Sequence, residues 1–103
     1  MQYKIVYSPE ALQDLDDIGD YIAEELSSPN AAFKLLSEII ASIDLLKSHP
    51  LMGANISAIA DITSDIRFLV VKNYLVFYRF NKNTIYIDRI IYSRRNYLSI
   101  LFE

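Results

Sequence analysis

The hydrophobic period of this chain changes once, and that change fixes the kind of domain it can form. In the first half, apolar side chains recur every three or four residues: Leu12, Leu15, Ile18, Ile22 and Leu26, then Phe33, Leu36, Ile40, Ile43 and Leu46. This is the spacing of two amphipathic helices. Each is preceded by the same start signal, Ser8-Pro9-Glu10 and Ser28-Pro29-Asn30, a capping residue followed by proline in the first turn. The short connection between them predicts an antiparallel helical hairpin, with Gly19 as a point of close crossing. From Ile66 the period drops to two. Ile66–Val71, Tyr74–Phe80 and Thr84–Tyr92 read as strands joined by tight turns at Lys72-Asn73 and Asn81-Lys82-Asn83, an antiparallel meander.

Ahead of the first helix, Tyr3–Tyr7 is short, aromatic and β-branched, so it reads as a strand too. Residues 54–65 offer Ile56, Ile59 and Ile62 without decisive turn chemistry and predict no element. Behind the last strand, residues 94–102 form a short tail rich in tyrosine and leucine. The predicted architecture is α+β: β-α-α-β-β-β, with an N-terminal helical hairpin packed on a small antiparallel sheet. At 103 residues the chain fits a single domain, 1–103. Its hydrophobic content of 52% is high for a domain that can bury only about 60–70% of its unfolded surface, so apolar area is left for a partner.

Charge is divided along the chain. Arg67, Lys72, Arg79, Lys82, Arg89, Arg94 and Arg95 are seven of the ten basic residues, and they face only Asp88 and Glu103 in the last 38 positions. The first 65 residues set Lys4, Lys34 and Lys47 against eleven carboxylates. Such a separation makes a field that orients partners. Guanidinium groups among Tyr74, Tyr78, Tyr92 and Tyr97 suit phosphates and stacked bases. They equally suit the carboxylates of an acidic protein. A pI near 5.0 favours the protein, because proteins that grip many phosphates are basic overall.

Other chemistry is poorly supplied. There is no cysteine, hence no disulfide or thiolate, and a reducing compartment is expected. Only Gly19 and Gly53 are glycines, so no glycine-rich phosphate loop exists, and no metal-binding or nucleophile motif is present. No metal and no cofactor are expected. Asp14, Asp16, Asp17, Asp20, Glu24 and Glu25 alternate with the apolar stripe and read as a solvated helix face. His49, the single histidine, sits before Pro50 at the end of the second helix without a second ligand near it. The sequence opens in strand-like residues with no apolar signal segment, and no run approaches the ~20 apolar residues of a membrane span. A cytoplasmic protein without a membrane partner is expected.

The segments SPEALQDLDDIGDYIAEELSSPNAA, LKSHPLMG, IRFLVVKNYLVFYRF and IDRIIYSRRNYLSILF closely resemble the RelE/ParE superfamily of type II toxin–antitoxin toxins. The resemblance runs from Tyr3 to Phe102. Its most specific parts are Asp17 to Ala32, Pro50-x-x-Gly53, Tyr78-Arg79 and Arg89-Ile-x-x-x-Arg94-Arg95. It implies a small toxin, of the kind tied to growth inhibition and plasmid stabilisation, held inactive by a cognate antitoxin. RelE-like members cut messenger RNA in the ribosomal A site without a metal, and ParE-like members poison DNA gyrase.

Several positions depart from the nuclease pattern. Leu75 follows Tyr74 where an arginine is usual. Arg67 stands alone, with Leu69 in place of a second basic residue. Tyr92 replaces a histidine, and Leu101 a tyrosine. The resemblance is therefore closer to ParE-like members. It implies Arg67, Arg79, Arg89, Arg94, Arg95 and Tyr97 as contacts for antitoxin or target. Strand alternation places Arg79 with Leu75 and Phe77, and Arg89 with Ile87 and Ile91, so a structural role is equally open to those two. A ribosome-dependent endoribonuclease would have to work with Arg67, Tyr92, Arg94 and Arg95. A degenerate member would only bind its antitoxin. A homodimer and a toxin–antitoxin hetero-oligomer are both compatible with the sequence.

Overall fold

Why the helices start where they do is visible in a computed structural model, which describes residues 2–102. The Ser8 hydroxyl accepts from Ala11 N at 2.9 Å, and the Ser28 hydroxyl from Ala31 N at 3.2 Å, each followed by proline in the first turn. These caps open α1 (Pro9–Glu25) and α2 (Pro29–Asp44). Ser8 Oγ also donates to Asp88 O at 2.7 Å, which ties the start of α1 to the sheet. A Cβ built on Gly19 would lie 3.0 Å from Leu36 Cδ1, so this glycine does sit at the close helix crossing.

The strands are β1 (Lys4–Tyr7), β2 (Ala54–Asn55), β3 (Arg67–Val71), β4 (Tyr74–Asn81) and β5 (Thr84–Tyr92), and a last helix, α3, spans Tyr97–Phe102. They form one sheet in the order β1-β5-β4-β3-β2. The expected order β-α-α-β-β-β is present, as is the helical hairpin on one face. The sheet is mixed, because β1 runs parallel to β5, with Ile5 opposite Ile85. The segment that predicted no element supplies β2, a two-residue edge strand, and a 3-10 turn at Ile56–Ala58. Lys72 and Lys82 take φ of 55° in the two tight turns of the meander.

Two apolar clusters lie on opposite faces of the sheet. Ile39, Ile43, Leu46, Val76, Tyr78, Ile85, Ile87 and Ile90 pack between sheet and hairpin, with Ala11 and Ile18 from α1. On the other face Ile56, Phe68, Leu75, Phe77 and Ile91 are covered by Tyr97, Leu98, Ile100 and Leu101. The tail is thus a structural layer.

Both helices are rotated from their expected faces. Leu12, Leu26, Phe33 and Ile40 are exposed, while Ala11, Asp14, Ala32 and Ile39 are buried. The reason on α1 is Asp14, which turns inward to meet β5, so the solvated-face reading fails for that one carboxylate. The meeting point is a β-bulge. Phe77 pairs with Arg89 but Tyr78 pairs with Ile87, leaving Asp88 as the extra residue. The bulge breaks the alternation that would put Arg89 beside Ile87 and Ile91: Ile87 faces the hairpin and Ile91 faces α3.

Burial also marks two phenols. Tyr7 and Tyr74 are pushed above a phenol's ordinary 10.0, first by burial and then by nearby Asp44 for Tyr7 and Tyr92 for Tyr74. A raised folded value means that stability is complete below 10.0 and is lost as pH climbs through the folded values. Tyrosinate absorbance should therefore show these two ionising later than a free phenol, together with alkaline unfolding. Tyr74→Phe should move that unfolding to higher pH, and an unchanged midpoint would contradict the assignment.

Candidate functional site

The basic residues of the C-terminal third do not share one fate. Arg79 Nε and Nη2 donate to the Asp88 carboxylate at 2.8 and 3.0 Å, and the guanidinium lies 6.0 Å from the Tyr86 ring centroid. The bonds to Asp88 hold Arg79 even further above the range where it could lose its proton, against the opposing effect of burial. Arg89 donates in the same bidentate way to Asp14, at 2.8 and 2.9 Å, and Asp14 Oδ2 also accepts from Ile90 N at 2.8 Å. The bulge at Asp88 frees that amide from the strand ladder, and the carboxylate of α1 takes it. Arg67 Nη2 donates to the carbonyl of Gly53 and, at 3.4 Å, to that of Leu51, so it braces the loop before β2.

What remains available is gathered at one corner. Ser93 N donates to Asn73 O at 2.8 Å, closing the end of β5 against the β3–β4 turn. Tyr92 lies opposite Tyr74, the rings 5.6 Å apart and edge to face. Beyond them Arg94 and Arg95 are exposed, and neither guanidinium has an ion-pair or hydrogen-bond partner among the described residues. Lys72, on the neighbouring turn, reaches Glu38 only at 3.7 Å and is well exposed. Lys82 stands apart, at the tip of the β4–β5 turn.

The geometry divides the expected residues accordingly. Tyr92, Arg94 and Arg95 come together, with Lys72 and Asn73 as neighbours that sequence reasoning did not include. Arg67 is remote. It pairs with Tyr78 while Tyr92 pairs with Tyr74, four residues along β4 or about 13 Å at the usual strand rise. Arg79 and Arg89 are engaged inside the domain. Tyr97 is half-buried, its ring 5.6 Å from Phe77, and acts as packing. Asp14 was also missed. Its place between Ala11 and Ile18, one helical turn from each, was the available signal.

Among the described residues no group of three or more histidines or carboxylates could hold a metal, and no helix is long and apolar enough to cross a membrane. His49 is exposed at the end of the 3-10 turn that follows α2.

Known proteins share both the sequence pattern and the fold. Residues 5–97 match the family model described as ParE toxin of type II toxin–antitoxin system, parDE. A solved structure described as a chromosomal ParDE toxin–antitoxin system from P. aeruginosa superposes with a TM-score of 0.74 at 22% identity, over 88% of this chain and 96% of that one. The crystal structure of YafQ from E. coli strain BL21(DE3) superposes with a TM-score of 0.55 at 16% identity, over 99% of this chain and 100% of that one. At these identities the likeness to both structures is one of fold. No curated protein sequence matches the chain.

Proposed function

The chain belongs to the ParE toxin family of type II toxin–antitoxin systems, and from that premise we propose that it arrests growth by binding a protein target, DNA gyrase, until its cognate antitoxin occupies it. The observation that carries this reading is the partition of the basic residues. Arg94, Arg95 and Lys72 form a small exposed cationic corner, suited to docking against carboxylates. Arg79 and Arg89 already hold carboxylates of their own domain.

The nuclease alternative asks Arg67, Tyr92, Arg94 and Arg95 to converge on one scissile phosphate. Stabilising charge at a phosphate needs donors about 3 Å from its oxygens, and removing a single such donor costs about 2.7–4 kcal/mol of barrier. Arg67 lies too far along the strand to join Tyr92, and its guanidinium is bonded to Gly53. Two arginines on an exposed turn favour binding over cleavage. The same reading puts the protein in the cytoplasm, where gyrase and a co-produced antitoxin would both be met.

The test uses purified chain and gyrase in a supercoiling assay. Inhibition is expected, and Arg94→Ala with Arg95→Ala should weaken it at least tenfold, about 1.4 kcal/mol of binding. The melting temperature should stay put, since neither side chain has a partner among the described residues. Inhibition that is indifferent to both substitutions would remove this corner from the interface. No inhibition at all would remove gyrase.

A further inference from the structure

The cationic corner is one wall of a cleft of about 540 Å³ that opens between α1 and the end of the β4–β5 ladder. The floor is apolar, formed by Ile18, Ile22, Tyr74 and Ile90. The two walls carry opposite charge. Lys72 and Arg95 stand on one side. Asp17 stands on the other, exposed and bonded among the described residues only to Gln13 of its own helix. Asp20 and Glu24, both exposed, continue this acidic wall along α1. Two further tyrosines line the cleft with exposed rings, Tyr21 at 60% and Tyr92 at 37%. They gather round the Tyr74 phenol, which is held above its ordinary range by burial first and then by Tyr92 and Tyr21 beside it. Aromatic rings around an apolar patch are enriched where proteins meet.

The pairing of charges narrows the choice of partner. A nucleic-acid strand would bring phosphates against Asp17, and two cations release few counterions. A protein surface of one sign would satisfy one wall and be repelled by the other. The partner has to carry an acidic and a basic wall of its own, at the same spacing, on either side of an apolar strip. A second copy of this chain supplies that by symmetry. With a two-fold axis running along the cleft between its walls, Asp17 of each copy faces Arg95 of the other, and every contact is made twice. The exposed Tyr21 ring of each copy then covers the apolar floor opposite.

We propose that two copies of this chain associate through this cleft as a two-fold dimer, the acidic wall of each against the basic wall of the other. The dimer covers Arg95 and Lys72, two of the cations by which the target is to be held. It is therefore a latent form. That consequence rests on the toxin reading above, whereas the dimer itself does not.

The experiment is analytical ultracentrifugation of the purified full chain, over a micromolar dilution series at low and at high salt. A reversible dimer is expected, weaker at high salt because its ion pairs lie at the rim of the contact. Asp17→Arg and Arg95→Asp should each weaken it at least about tenfold, since each sets like charges together twice. Mixed in equal amounts, the two variants should associate again, because every contact between them once more joins an acid to a base. Lys82→Glu changes a charge at the opposite end of the β4–β5 hairpin and should leave the dimer as it was. Circular dichroism checks that the variants fold. A chain that stays monomeric at low salt would overturn the proposal. So would a dimer indifferent to both substitutions, an equal loss with Lys82→Glu, or a mixture that fails to associate. The supercoiling assay then tests latency. Asp17→Arg keeps every cation of the corner, so it should inhibit more per molecule than the unaltered chain at concentrations where the latter dimerises. Equal inhibition by the two would overturn the dimer as a latent form. No inhibition by either would contradict the gyrase reading and leave the dimer standing.

Discussion

Asp14→Ala should lower the unfolding free energy by about 3 kcal/mol, the lower end of the cost of removing one partner from a buried ion pair. That is a large share of the roughly 5–15 kcal/mol available to a domain of this kind. Two losses combine. The Arg89 guanidinium, on a side chain only 26% exposed, is left without its carboxylate. The Ile90 amide, whose bond to Asp14 is buried, loses its acceptor, and an unsatisfied buried donor costs about 1–3 kcal/mol by itself. Removing Asp88 from Arg79 serves as the control. That pair has equally good geometry but lies at the surface, where an ion pair contributes roughly 0–1 kcal/mol. Urea denaturation of both variants measures the contrast. Equal midpoints would mean that the bond between α1 and the bulge does not hold the hairpin on the sheet.

Gly53→Ala should be about as damaging, for a different reason. A Cβ at this position would meet the carbonyl oxygen of Phe68 and lie 2.8 Å from Tyr78 Oη. The first of these is backbone and cannot swing away. The cost is therefore at least the ~1–3 kcal/mol of an overpacked core. The clash also strains a small network in which Gly53 N donates to Tyr78 Oη at 3.0 Å and Tyr78 Oη donates to Pro50 O at 2.7 Å. Arg67 adds its bond to the Gly53 carbonyl. We expect a loss of about 3 kcal/mol or more once those bonds are disturbed. Gly19→Ala is the natural comparison. Its Cβ would press only on Leu36 Cδ1, the end of a flexible side chain, and helix propensity returns up to about 1 kcal/mol. Near-neutral stability is expected there. If the two substitutions cost the same, the steric account of Pro50-x-x-Gly53 is wrong.

How much of this was legible in the sequence depends on whether local or long-range contacts decide each feature. Ser8-Pro9 and Ser28-Pro29 act within one turn, so the starts of both helices could be read directly. The meander could be read for the same reason, because two-residue turns fix which strands are neighbours. The parallel pairing of β1 with β5 could not, since a four-residue strand carries no mark of its partner across 80 positions of chain.

The inward turn of Asp14 was hidden because a stripe counted by apolar residues admits Leu12 and Leu26 and passes over a carboxylate. The bulge did leave a trace. The inward isoleucines run 85, 87 and then 90, a slip of one residue that a strict alternation cannot explain. The tail left one as well, in the helical spacing of Leu98 and Leu101. The candidate site was legible as a set of cations and not as a place. Which arginines were already engaged by Asp14 and Asp88 depends on register across the sheet, and so does the meeting of Lys72 with Arg95.

On the proposal that the chain stops growth by holding a protein target, binding and RNA cleavage leave different traces in the cell. The most direct measurement is to induce the chain alone in cells and track gyrase–DNA covalent complexes alongside mRNA integrity on translating ribosomes. Gyrase cleavage complexes should accumulate while messages stay intact. Early translation arrest with in-frame cuts in mRNA, and unaltered DNA supercoiling, would contradict it.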